Sequence, residues 1–486
     1  MSLSLALRWN GRAMLRGNEP GVGARPIGSG VKRWVVIAHM YLGVVFSLLF
    51  VMWFASGIVL AYNPFPSLSP ADQLKAAPQV DCTRCTVSED GARALLADGT
   101  RRVTAPARLG MLGARPVWRI VDAGHKWHAV FADHAALAPP IDSVAGAQIA
   151  IDAIRRLSPA TSPTSRAVFV GTLTEPDQWT LEQPIPSQLP MLMYAVTDES
   201  QTHVYVSTAG AEVVTLSTRR QRLMAWLGAI PHWIYPTMLR RHVQAWSTMI
   251  IILAALGTLM CVAGLTIGVW QWRFRAVRTR SGNRRPHSPY REFVMRWHHI
   301  LGLTFGLFTC TWMFSGLMSM NPGEWSPGSS PRASVMTRWM GDSAGVAGLT
   351  EAALISKASR ALDNPPLIDA ALLQSGDDYF RETAEHHLTA PVLRLRFADA
   401  ASTWLYIEPA SGALAASFEA RSRTERWLYA GLHDLDFRWL LDHRPLWDIA
   451  IVGLSIGGLL SALSGAVIAI RWLRDVGRPA TRSRRR

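Results

Sequence analysis

The chain has 486 residues, 49% of them hydrophobic and 17% charged, with a mean hydropathy of +0.12 and a net charge of +15. That composition is too apolar for an ordinary soluble enzyme, and the length leaves room for several units. The charge would suit nucleic acid only if it covered a folded face, and instead it sits beside apolar segments.

The basic residues crowd into three short stretches. Arg8, Arg12, Arg16, Arg25, Lys32 and Arg33 precede the first apolar segment. Arg273, Arg275, Arg278, Arg280, Arg284, Arg285, Arg291 and Arg296 lie between the second and third. Arg471, Arg474, Arg478, Arg482, Arg484, Arg485 and Arg486 follow the fourth. These 21 cations face only Glu19, Glu292 and Asp475, so the remainder of the chain is slightly acidic. Short cationic loops stay on the cytoplasmic side of a membrane. Both termini are therefore expected inside and the two long connections outside, with no nucleic-acid partner.

Taken in order, residues 1–33 read as a basic cytoplasmic segment and 34–62 as the first transmembrane helix. The run WVVIAHMYLGVVFSLLFVMWFASGIVLAY holds no group that charges near neutral pH except His39. About twenty apolar residues span a bilayer, because lipid forces backbone hydrogen bonds to close within the helix. The apolar core is too long for a cleavable signal, and no small-x-small site follows it, which predicts a retained anchor. Residues 63–244 form a first outer region, 245–270 a second span and 271–296 a basic inner loop. Residues 297–320 form a third span, 321–445 a second outer region, 446–470 a fourth span and 471–486 a basic tail.

Within the first outer region, Pro116–Val121 and Lys126–Asp133 alternate as a β-hairpin, and Ser143–Leu157 carries apolar residues at helical spacing. Met191–Val196 and His203–Val206 form another hairpin around the polar turn Asp198–Gln201. The second outer region repeats the theme, with a helix over Leu349–Leu362 and a hairpin from Val392–Phe397 and Ser402–Glu408. The fold class expected is an α-helical membrane protein, a four-helix transmembrane bundle built by internal duplication, carrying two periplasmic α+β modules. Cys82 and Cys85, as DCTRC in an oxidising compartment, predict a local disulfide rather than a zinc site. Cys261 and Cys310 fall within spans and read as small packing groups.

The two halves echo each other. An offset of 259 residues lays His39-Met-Tyr-Leu-Gly43 on His298-His-Ile-Leu-Gly302, Trp53 on Trp312, and Ser56-Gly57 on Ser315-Gly316. An offset of 201 lays His232 on His433, His242 on His443, Trp226 on Trp427, Trp246 on Trp447, Gly257 on Gly458 and Gly264 on Gly465. Topology then sorts the histidines by depth, with His39 and His298 near the inner surface and the other two pairs near the outer one. An imidazole in an apolar helix is costly unless the protein uses it. Two clusters, one per leaflet, suit two haems of the b type, since neutral imidazole is a good axial ligand. His39 and His298 are the inner ligand pair, with His299 as a less favoured neighbour on another helix face. His232 with His433, His242 with His443, or a set mixing the two pairs compete for the outer iron. Gly43, Gly302, Ser56, Gly57, Ser315 and Gly316 would let a flat macrocycle approach the backbone, and Arg33, Arg296, Arg240, Arg241 and Arg444 stand where its propionates would emerge. His125, His128, His134, His203, His386 and His387 read as surface histidines of the outer modules.

Other motifs are missing. The glycines of 21–30 follow no strand and open no helix-plus-acid pattern, and no phosphate loop or HExxH pair occurs. The mid-span Trp53 and Trp312 could line an electron path, but core packing is the better reading. A transporter of rocking repeats is disfavoured because the halves share one orientation and no span is broken at mid-depth by Gly-Pro.

The span-opening H-x-x-L-G and span-closing S-G or T-G signatures, with hairpin modules between them, resemble the PepSY-associated transmembrane proteins. That family includes iron-regulated membrane proteins and ferric-siderophore reductases of bacterial inner membranes. The resemblance covers all four spans and, more loosely, the outer modules, which are longer than the minimal pattern. It implies periplasmic modules, two b haems held by span histidines, and electrons passing outward to a ferric chelate or siderophore from an unidentified cytoplasmic or membrane donor. His39, His298, His232 and His433 stand at the matching positions, with His242 and His443 as further candidates. The competing expectation is a haem-free anchor whose modules bind or regulate a periplasmic partner such as a peptidase.

Overall fold

In a computed structural model the protein is described over residues 29–96, 107–122, 124, 126–182, 185–274, 287–341, 350–381 and 391–477. Arg8, Arg12, Arg16, Arg25, Arg275, Arg278, Arg280, Arg284, Arg285, Arg478, Arg482, Arg484, Arg485 and Arg486 lie outside those residues. So do Glu19, Leu349, His125, His386, His387 and most of the 21–30 glycine stretch. The chain divides into a helical unit (1–62, 244–324 and 425–486) and a sheet unit (63–243 and 325–424).

Four long helices make up most of the helical unit: α1 (Ser29–Tyr62), α2 (Val243–Gln271), α3 (Phe293–Ser319) and α4 (Arg444–Gly477). Each is long and apolar enough to cross a membrane. The first stops at Tyr62 because Asn63-Pro64 cannot continue it. The start of α3 is capped by Glu292, whose carboxylate accepts from the Met295 N–H at 2.6 Å. The chain packs α4 along both α1 and α3. With little hydrophobic drive between helices in lipid, close approach depends on small residues. A Cβ added at Gly458 would lie 2.2 Å from the Phe54 ring, and one at Gly457 would lie 2.3 Å from Phe305. Phe46, Phe50, Phe54, Met260, Met313 and Ala462 fill the resulting core. Cys261 and Cys310 are free thiols, the first buried and the second half-buried.

The sheet unit carries three four-stranded antiparallel meanders. The first is β1 (Arg108–Leu112), β2 (Arg115–Val121), β3 (Trp127–Phe131) and β4 (Ala136–Leu137). The second is β5 (Ala167–Leu173), β6 (Met191–Val196), β7 (His203–Ser207) and β8 (Glu212–Ser217). The third is β9 (Leu367–Leu373), β10 (Val392–Phe397), β11 (Trp404–Glu408) and β12 (Ala413–Phe418). On the second sheet lies the helix Ser143–Leu157, capped by Asp142 and burying Ala150 and Ile154 on Leu192, Tyr194, Val204 and Val206. The helix Glu351–Ala361, capped by Thr350, covers the third in the same way, with Leu354 and Ala358 against Leu393, Leu395, Phe397 and Ile407. The predicted hairpins are the inner strands of these sheets. Their edge strands carried weaker signals: β5 is interrupted at Gly171, where its pairing with β6 shifts register.

The second and third sheets repeat one set of polar contacts. Tyr205 donates to Asp177 at 2.7 Å, and Tyr406 donates to Asp377 at 2.9 Å. Thr202 bonds Asp198 through its N–H and hydroxyl, as Thr403 does Asp399. Arg222 donates to the carbonyls of Ser217 and Gln201, and Arg423 to those of Phe418 and Ser402. Burial and the adjacent carboxylate raise the pKa of both phenols, so each stays a donor. Tyr406→Phe leaves the half-buried Asp377 with one donor fewer and is expected to cost about 1 kcal/mol, read as a lower melting midpoint of the protein.

Cys82 and Cys85 form the expected disulfide. Of the histidines in these modules, His128 bonds Asp122 and His134 bonds Asp133, each at 2.8 Å, while His203 is half-buried. Among the described residues no group of three or more His, Cys, Asp or Glu could hold a metal ion.

Candidate functional site

His39 lies on α1 and His298 on α3, and the bundle brings their imidazoles together across a cavity of about 300 Å³. Each ring is seated by the helix that follows it in its own half of the chain. The Nδ1 of His39 is 3.1 Å from the Met260 carbonyl oxygen on α2. A carbonyl only accepts, so Nδ1 carries the proton and Nε2 keeps its lone pair. The Nδ1 of His298 lies 3.3 Å from the Ser461 carbonyl and 3.0 Å from the Ser464 hydroxyl on α4. That hydroxyl spends its own proton on the Ser461 carbonyl at 2.6 Å, so it too accepts from the imidazole. Both histidines are thus held in the tautomer whose Nε2 can bind a metal. A carbonyl on the second ring nitrogen is the usual way a protein orients such a ligand.

The spacing fits a shared metal. The two ring centroids are 6.3 Å apart and the planes are tilted by 36°. Imidazoles on opposite sides of one metal, each at a nitrogen–metal distance of about 2 Å, place their centroids about 6–6.5 Å apart. Glycine makes room for both rings. A Cβ at Gly264 would fall 2.6 Å from His39 Cε1, and one at Gly465 would fall 3.3 Å from His298 Cε1. Gly43 and Gly302, one turn beyond the histidines, also line the cavity. Arg33 lines it too, joined by Lys32, whereas Arg296 is exposed.

His299 also borders the cavity but is occupied at both nitrogens. Nδ1 meets the Ser288 hydroxyl at 2.9 Å, and Nε2 donates to the Gly268 carbonyl at 2.9 Å. With Tyr290 and Trp272 edge-on to its ring, it ties the end of α2 to the approach to α3.

His433, in the helical unit, follows a π-helical turn over Trp427–Gly431, a geometry that helix periodicity cannot reveal. Its Nδ1 is 2.9 Å from the Ser315 hydroxyl, which gives its proton to the Trp312 carbonyl at 3.0 Å. Burial lowers its pKa to about 4, keeping the imidazole neutral. His443 is exposed, with Nδ1 on the Trp439 carbonyl at 2.7 Å. In the sheet unit, His232 lies half-buried on the short helix Ala229–Trp233, and His242 is exposed. Arg241 pairs with Glu175 at 2.9 Å, Arg240 stands over the Tyr235 ring, and Arg444 pairs with Asp448 at 3.4 Å.

Sequence reasoning found the paired histidines and glycines of this cavity but missed Ser464 and the two accepting carbonyls. The offset of 201 sets Ala263 opposite Ser464, so the register gave no sign of the hydroxyl. No curated protein matches the chain. The family model described as the PepSY-associated TM region matches residues 36–365, more than half of the chain, which therefore belongs to that family.

Proposed function

We propose that the protein is a haem-b electron-transfer protein of a bacterial inner membrane, carrying two haems and reducing ferric iron held in a periplasmic chelate or siderophore. The observation that carries this reading is the His39–His298 pair. Two imidazoles stand at the separation of a bis-ligated metal, each with Nδ1 committed to a neighbouring helix. Bound there, a haem supplies a one-electron carrier within the apolar bundle. The work of the chain is then to fix both ring orientations, exclude water through the surrounding apolar residues, and set Lys32 and Arg33 at the cavity edge for the propionates.

The second haem rests on the repeat. His433, neutral and oriented by Ser315, has the better-prepared environment, and His232 is its counterpart at an offset of 201. Exposed His242 and His443 are the weaker pair. An internal duplication is supported by the polar contacts that recur in the second and third sheets at that offset, apart from Asp177 and Asp377, which are 200 apart. The cationic flanks support cytoplasmic termini and periplasmic sheets, with electrons supplied by an unidentified cytoplasmic or membrane donor.

The test is a visible spectrum of the detergent-purified protein, oxidised and dithionite-reduced. A Soret band that shifts on reduction, with a sharp α band, is expected. A spectrum without either leaves the haem-free reading, a membrane anchor for modules that bind or regulate a periplasmic partner such as a peptidase.

A further inference from the structure

The third sheet carries a cluster that its fold does not require. On the face away from the helix Glu351–Ala361, Arg396 stands opposite Trp404 and Arg394 opposite Tyr406. Arg423, just after β12, completes a ring of three guanidiniums around one indole. Their Cζ atoms lie 5.3 Å (Arg394), 4.6 Å (Arg396) and 4.4 Å (Arg423) from the Trp404 ring centroid.

The nearby carboxylates do not balance these cations evenly. Arg394 takes both Asp377 at 3.0 Å and Asp369 at 3.1 Å. Asp377 also accepts from Tyr406, and Asp399 is committed to the N–H and hydroxyl of Thr403. Among the described residues Arg396 reaches only Asp369, at 3.9 Å, and its buried Nε has no hydrogen-bond partner there. Arg423 gives Nη1 to the carbonyls of Ser402 and Phe418 and has no carboxylate at ion-pair distance among the described residues. Two guanidiniums against one ring repel each other until an anion comes between them.

The second sheet shows that this is not scaffolding. At the offset of 201, Met193, Ala195 and His203 take the places of Arg394, Arg396 and Trp404. Only Arg222 answers Arg423, and it makes the same pair of carbonyl contacts. The fold therefore needs an arginine at that one position, and it forms without the cations on β10 or the indole on β11.

We infer that Arg396, Arg423 and Trp404 form a binding site for a metal chelate that bears carboxylates and has a net negative charge. Guanidinium forks match carboxylates two bonds at a time, and their stacking on the indole keeps them pre-organised. The inference rests on the chelate-reductase reading and adds the charge class of its substrate.

The test uses the full-length protein in detergent and gallium(III) citrate, which carries the charge of the chelate but is not reduced. Calorimetric titration is expected to show saturable binding that weakens roughly tenfold in R396A, is restored only in part by R396K because an ammonium keeps the charge but not the fork, and falls as salt shortens the Debye length. R423A is expected to bind as poorly, and its melting curve separates that loss from unfolding. A cationic gallium hydroxamate is expected not to compete. The inference is overturned if the wild type does not bind, if R396A binds as well, or if metal-free citrate or the cationic chelate binds equally tightly. The Soret band of the same samples keeps the two readings apart. Lost binding with an intact Soret band fails this inference alone, and binding without a Soret band fails the haem reading alone.

Discussion

Replacing His39 and His298 together by alanine is expected to remove one of two haems per chain, measured as pyridine haemochrome against protein. Both Nε2 atoms that the Nδ1 contacts leave for a metal disappear, and the other histidine lining the cavity is His299. His299 has one nitrogen on Ser288 and the other on the Gly268 carbonyl, so recruiting it would break the tie between α2 and α3. The bundle itself is expected to persist, because its core of Phe46, Phe50, Phe54, Met260, Met313 and Ala462 does not include either ring. Retention of both haems in the double variant, with an unchanged spectrum, would refute the assignment of the inner pair.

The largest effect on stability is expected at Arg119 in the first sheet. Its guanidinium is nearly solvent-free, at 7% exposure, and serves four partners. Nε donates to the Gly210 carbonyl at 2.7 Å, and Nη2 donates to Met111 and Ala211 at 3.1 and 3.0 Å. Glu212 completes the set at 3.3 Å. Arg119→Met keeps the apolar stem but strands three carbonyls and half-deprives a carboxylate that then depends on Arg108. Removing one partner of a buried charge pair costs about 3–5 kcal/mol. Early proteolytic cleavage between β1 and β8, with the haem spectrum unchanged, is the expected readout; wild-type resistance would contradict it.

The sequence made the bundle legible because lipid permits so few solutions for an apolar run. It made the inner histidines legible because two copies of one pattern carried them in register. The helix Ser143–Leu157 and the strands Met191–Val196 and Val392–Phe397 also followed from periodicity, since each has one buried face. Edge strands did not, because β5 and β9 leave apolar residues such as Val168, Val170 and Ile368 exposed and so lack the alternation that marks a half-buried strand. Nor could spacing show what seats each imidazole. A backbone carbonyl has no residue signature, and Ser464 has only an alanine at the matching place. The arginines around Trp404 escaped notice for a related reason, since they converge from β10 and from the segment after β12, which are distant in sequence.

The first sheet has a consequence for how the chain is assembled. The offset between matching positions is 259 residues at His39 and His298 but 201 from the second sheet onward, so the first half is 58 residues longer ahead of that sheet. The segment holding β1 to β4 lies in that interval, and among the described residues no sheet precedes the third one in the second half. Arg119 holds it to the Gly210 and Ala211 carbonyls, Arg108 pairs with Glu212, and Trp127 donates to the Ser187 hydroxyl, so the first sheet is tied to the second by a small set of side chains. A part joined through so small a set of side chains can be lost or elaborated while the second sheet keeps its own helix-covered core.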